Sequence, residues 1–179
     1  MIFPLFRRRP ARPDTISALY GMIVAQARMP AFYRDYGVPD TVDGRFELIV
    51  LHMVLLLERL NGTPALRSLG QSVFDRFCQD MDHNLREMGV GDLAVPKQMR
   101  GIGQAFYGRA EAYKAALAAP DGAALVKALA RNIYGSSDAS RSGRLAAYAR
   151  KAVTQLKVLD EDTLATGTVA FPEPTSVIV

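Results

Sequence analysis

Asp80 and His83 stand three residues apart, so on a helix both reach the same side and could share one metal ion. Asp82 lies beside them, and Glu87 follows His83 by about one turn. In a helical bundle such a set invites comparison with di-metal carboxylate centres. Those centres use Glu-x-x-His twice, together with two further inward-facing glutamates. The chain has no Glu-x-x-His at all. The Asp80–His83 pair therefore reads as part of a solvated polar face with local ion pairs, Asp82 to Arg86 at i, i+4 among them. No metal and no cofactor is expected.

The other reactive residue types carry no stronger pattern. His52 sits inside the most apolar stretch of the chain. It reads either as a core histidine with hydrogen-bonded ring nitrogens, or as a contact at the edge of the apolar face. Cys78 follows Phe77 with no base in sequence reach, which suits a half-buried thiol rather than a nucleophile. As the lone cysteine it allows neither a disulfide within the chain nor a cysteine-based zinc site, and it suits a reducing compartment. No Gly-x-Ser-x-Gly elbow and no phosphate-loop signature occur. Gly101-x-Gly103 lacks the third glycine of a dinucleotide fingerprint and lies in a helical pattern. The chain is not expected to be an enzyme.

The elements that would position these residues are helical throughout. Asp14 can cap a helix to about Arg28, with Ile16, Leu19, Tyr20, Ile23 and Ala27 at helical spacing. Pro30 opens a short helix, 31–36. Thr41 caps the most apolar helix, which runs through Phe46 and Leu60 and ends at Asn61-Gly62, with Gly62 suited to a left-handed terminus. Thr63-Pro64 opens the next, to about Met88, closed by Gly89-Val90-Gly91-Asp92. Pro96 begins a helix to about Ala118, and others cover 123–134, 144–159 and a short piece at 163–164. From Gly167 onward two prolines forbid a helix. The pattern predicts an all-α, single-domain irregular bundle of about seven helices. Residues 1–13 are expected to form a flexible basic tail, 14–166 the helical domain and 167–179 an extended C-terminal tail. Gly101, Gly103 and Gly108 within a helix read first as close helix packing, and second as a groove for a partner's backbone.

Charge and hydropathy narrow the partners. The net charge is +4, which Arg7, Arg8, Arg9 and Arg12 can supply alone, so no DNA-binding footprint crosses the fold. The longest apolar run, Leu48 to Leu57, is far short of the roughly 20 residues that a membrane span needs. Phe3, Phe6, Arg7, Arg8 and Arg9 make an apolar hook followed by arginines, which is a candidate contact with an anionic membrane surface.

Several segments together carry a resemblance. These are Pro39-Asp40-Thr41, Arg45-Phe46-Glu47-Leu48, Leu51-His52, Phe77, Asp80-Met81-Asp82, Leu85 to Asp92 (the most specific run), Phe106-Tyr107-Gly108-Arg109 and Leu164 to Gly167. In these the chain resembles the ubiquinol–cytochrome c chaperone family, from about Phe32 to Pro172. The resemblance implies an assembly factor for the cytochrome bc complex, respiratory complex III, that receives newly made cytochrome b. Mitochondrial members associate with a membrane on the matrix side, near the ribosome exit and with a second small assembly factor. Without a long N-terminal extension the chain is similar to the shorter bacterial form, expected on the cytoplasmic side of the inner membrane.

The positions expected to meet cytochrome b are Asp80, Asp82, Arg86, Met88, Lys97 and Tyr107, with His52 beside them. They would rim a groove between the Phe46–Leu60 helix and the segments 81–90 and 99–107. The alternative is a helical carrier that uses the groove for a lipid or a quinone-like molecule.

Overall fold

A helix that is apolar on nearly every side has to lie inside, and the stretch from Leu48 to Leu60 is such a helix. The computed structural model describes residues 13–136 and 140–177. Among these the chain forms eight α-helices and two 3-10 turns, and no strand. In chain order the helices are α1 (Pro13–Ala27), α2 (Pro30–Arg34), α3 (Val42–Asn61), α4 (Arg67–Glu87), α5 (Val95–Ala118), α6 (Ala123–Ile133), α7 (Gly143–Lys157) and α8 (Glu161–Ala165).

α3 is the centre, packed against α1, α4, α5, α6 and α7. Leu48, Leu51, Met53, Leu56 and Leu60 lose all contact with solvent. Its start is fixed locally: the Thr41 hydroxyl accepts a hydrogen bond from the Gly44 amide at 3.1 Å. Gly44 is required there, because a Cβ would stand 1.9 Å from the Pro39 carbonyl oxygen. The expected Thr41 cap and central apolar helix are therefore both present.

Other local expectations are met only in part. Asp14 lies inside the first turn of α1 rather than ahead of it, and α2 stops at Arg34. Gly62 is right-handed, with φ −65°, not left-handed. Thr63 caps nothing: a 3-10 turn, Pro64–Leu66, precedes α4, and the Thr63 hydroxyl instead accepts from Arg59 Nη1 at 2.7 Å.

The segment from Gly167 carries no α-helix, and a 3-10 turn, Pro174–Ser176, interrupts its extended course, but it is not a free tail. The Tyr36 hydroxyl donates to the Pro174 carbonyl at 2.6 Å, Gln26 to that of Pro172 at 2.9 Å and Arg144 to that of Val177 at 3.0 Å. Val169, Pro172, Pro174 and Val177 are buried. The segment straps α1, α2 and α7 together. The N-terminal positions Phe3, Phe6, Arg7, Arg8 and Arg9 lie outside the described residues.

Candidate functional site

α4 and α5 form an antiparallel hairpin whose turn is held at several points. Gly89, at φ +82°, takes the left-handed conformation that ends α4. Its amide donates to the Arg86 carbonyl at 2.9 Å, and the Val90 amide donates to that of Leu85 at 3.0 Å. Those two bonds are the Schellman closure of a helix. The Arg86 guanidinium then clamps the turn, donating to Asp82 at 2.7 Å and also to Asp92 across it. The pairing holds the Asp82 carboxyl below its ordinary range. A turn fixed in this way presents side chains that nothing covers: Leu93 is 99% exposed and Met88 62%. Lys97 is exposed on the first turn of α5.

Farther along the hairpin, aromatic rings of α4 and α5 cluster together. Phe74 lies 4.9 Å from Phe106 and 5.8 Å from Tyr107, centroid to centroid. Phe106 is buried, whereas Tyr107 is 61% exposed. A hollow of about 170 Å³ opens here between α3, α4 and α5, walled by Leu57, Gly70, Phe74 and Tyr107. Of the two segments expected to rim a groove, this hollow meets 99–107, at Phe106 and Tyr107, and contains no residue of 81–90. The close-packing reading of the α5 glycines is overturned. A Cβ at Gly101, Gly103 or Gly108 would meet nothing within 4 Å.

The residues singled out from sequence do not all converge. Asp82, Arg86, Met88 and Lys97 gather at the hairpin turn. Tyr107 stands ten residues beyond Lys97, about 15 Å along α5. Asp80 faces α1 instead, accepting from the Tyr20 hydroxyl at 2.8 Å and from Asn84 at 3.3 Å. Its role is to brace α1 against α4. No group of three His, Cys, Asp or Glu residues suited to a metal occurs among the described residues.

His52 belongs to the core and presents no surface to a partner. It is 0% exposed. Its Nδ1 lies 2.7 Å from the Leu48 carbonyl oxygen and its Nε2 2.8 Å from the Tyr148 hydroxyl. A carbonyl only accepts, so Nδ1 carries the proton and Nε2 accepts from Tyr148. Gln26 in turn donates to the Tyr148 oxygen at 3.0 Å. Phe32 and Phe171 meet the imidazole edge-on at 5.5 and 5.1 Å. Burial pushes the His52 pKa down to about 4, against the raising effect of the Leu48 carbonyl.

One further polar pair is inside the molecule. Arg109 of α5 grips Glu47 of α3 with two nitrogens, Nε at 2.5 Å, and also donates to the Ala105 carbonyl at 3.1 Å. Glu47 is 6% exposed. Burial pushes its carboxyl up and the Arg109 guanidinium pulls it back.

The ubiquinol–cytochrome c chaperone model matches residues 34–171, most of the chain. The chain belongs to the ubiquinol–cytochrome c chaperone family. The crystal structure of the Cbp3 homolog from Brucella abortus superposes with a TM-score of 0.86 at 41% identity, covering 99% of this chain and 100% of that one. Ubiquinol-cytochrome-c reductase complex assembly factor 1 of Xenopus laevis is 26% identical over 157 residues, 86% of this chain and 78% of that protein. Protein CBP3, mitochondrial, of Saccharomyces cerevisiae is 29% identical over 150 residues, 80% of this chain but 44% of the yeast protein.

The segments that resemble this chaperone family are joined by structural bonds. Glu47 and Arg109, from two of those segments, form the buried pair. Arg86 and Asp92, from the most specific run, close the hairpin turn. Sequence reasoning missed the Glu47–Arg109 pairing, the role of Phe74 and the exposure of Leu93. Only the last had a local signal, a leucine inside a Gly-Asp-Leu-Ala turn.

Proposed function

We propose that this chaperone-family member assists assembly of the respiratory cytochrome bc complex by holding newly made cytochrome b, and does so without catalysing a reaction. The match of the family model over residues 34–171 carries this reading. The binding surface is the outer face of the α4–α5 hairpin. Glycine inside a helix costs about 1 kcal/mol relative to alanine, and Gly101, Gly103 and Gly108 gain no internal packing in return. An apolar helix laid along α5 would use that open space, with Tyr107 against it and Met88 and Leu93 at one end. The Asp82–Arg86–Asp92 cluster and Lys97 would set its direction.

Cytochrome b is a membrane protein, so this reading puts the chaperone at the membrane surface, on the cytoplasmic side. None of the described helices is long and apolar enough to cross a membrane, which suits a peripheral position.

Deletion of the gene in its own host tests the function. The expected result is loss of the b-type haem absorbance of the complex and of its band on blue-native gels, with other respiratory complexes unchanged. The wild-type chain should restore both signals, and a chain carrying Met88→Glu, Leu93→Glu and Tyr107→Glu should not. A normal complex in the deletion strain would end this reading.

A further inference from the structure

Away from the hairpin, a cleft of about 500 Å³ opens where the C-terminal halves of α3, α5 and α7 meet. That volume lies within the range of small-ligand sites, about 300–1,000 Å³. Leu55, Leu117, Val153 and Leu156 make its apolar wall. No aromatic side chain lines it, so it has no platform for a flat ring such as a quinone head or a porphyrin. A chain-like apolar ligand fits this wall better.

The charges at the cleft are unequal. Arg59, Lys114 and Lys157 face a single acid, Glu58. Helix C-termini attract cations, and part of the excess answers that demand. Arg59 donates to the Leu156 and Leu159 carbonyls at 3.1 and 2.7 Å, satisfying the end of α7. Lys114 stands 3.5 Å from Glu58. Two charge resources remain. A guanidinium has five N–H groups, and Arg59 uses one from each nitrogen, the third going to Thr63. Lys157 is exposed and has no hydrogen-bond or ion-pair partner among the described residues.

We propose that this cleft binds a long-chain fatty acid. The alkyl chain lies along Leu117, Ala118 and Val153, and the carboxylate takes the spare Arg59 donors and Lys157. The site is separate from the hairpin surface and does not depend on the chaperone reading.

Titration of the full chain with radiolabelled oleate, below its micelle concentration, tests the proposal. Saturable binding is expected, displaced by unlabelled oleate and about ten-fold less well by methyl oleate, which lacks the charge. Rising salt should weaken oleate binding. Lys157→Glu should weaken it by about ten-fold and Val153→Trp, which fills the cleft, should abolish it. Circular dichroism melts establish that each variant is folded; Lys157 is on the surface, so its variant decides if Val153→Trp does not fold. Absence of saturable binding by the wild-type chain, equal displacement by oleate and methyl oleate, or an unchanged affinity in Lys157→Glu would each overturn the proposal.

Discussion

Replacing Arg109 by alanine is expected to cost about 3–5 kcal/mol of stability at neutral pH, the usual cost of breaking a buried ion pair from one side. The mutation loses some stem packing, the Arg109 side chain being 24% exposed, but the larger loss is electrostatic. Its cost comes from Glu47, which is 6% exposed and would keep a carboxylate in the core with both of its oxygens deprived of their partner. Burial already pushes this carboxyl up, and without the guanidinium it rises further.

The sign of the pH dependence follows. In the variant the folded state holds the Glu47 proton more tightly than the unfolded state. Folding then takes up a proton, and lowering the pH restores part of the lost stability. Urea unfolding at pH 8 and pH 5 should show a larger deficit at pH 8. The double variant Glu47→Leu, Arg109→Met removes both charges together and should recover most of the loss. An Arg109→Ala protein as stable as wild type, or equally impaired at both pH values, would show that the pair does not hold α5 to α3.

His52 gives the second large effect, in the wild-type protein itself. Its pKa is lowered from 6.5 to about 4, chiefly by burial. A shift of that size corresponds to roughly 3 kcal/mol. As the pH falls, the unfolded chain takes the proton first. The stabilisation is therefore complete above about pH 6.5 and drains away as the pH approaches 4. The geometry supplies the cause. Nε2 accepts from the Tyr148 hydroxyl, which itself accepts from Gln26. A second proton on the ring would face that hydroxyl donor to donor and force the chain of bonds to reverse. A His52→Gln variant has nothing to protonate in this range. Its unfolding free energy should fall less steeply than wild type between pH 6.5 and 4.5, and parallel curves for the two proteins would contradict the assignment.

What could be read from the residues was what is local. The Thr41 cap, the apolar face of α3 and the Asp82–Arg86 pair at i, i+4 each involve groups within one turn of one another. Side-chain chemistry and helical spacing specify them without help from the rest of the chain. The two readings of His52 could not be separated in that way, because the deciding group, Tyr148, is 96 residues away. Glu47 and Arg109 are 62 residues apart, and nothing near either one names the other.

The C-terminal segment shows the same division. Its prolines announce extended backbone, but the groups that hold it, Gln26, Tyr36 and Arg144, come from three other helices or their ends. The α5 glycines misled for a different reason. Small residues in a helix permit close packing as readily as they leave a surface open, and only the position of α5 at the outside of the bundle distinguishes the two. Likewise the Asp80–His83 spacing was real on the helix, but Asp80 is occupied by Tyr20 while the His83 side chain stays largely in solvent.

The proposed binding of cytochrome b by the α4–α5 face can be tested at a single side chain. A photoreactive benzoylphenylalanine placed at Tyr107 of the full chain, in host cells pulse-labelled during synthesis of the complex, reports what lies against that face. Precipitation with an antibody to cytochrome b should recover a labelled adduct from position 107. The same probe at Thr154, exposed on α7, should give none. No adduct from Tyr107, or equal adducts from both positions, would mean that the hairpin is not where newly made cytochrome b is held.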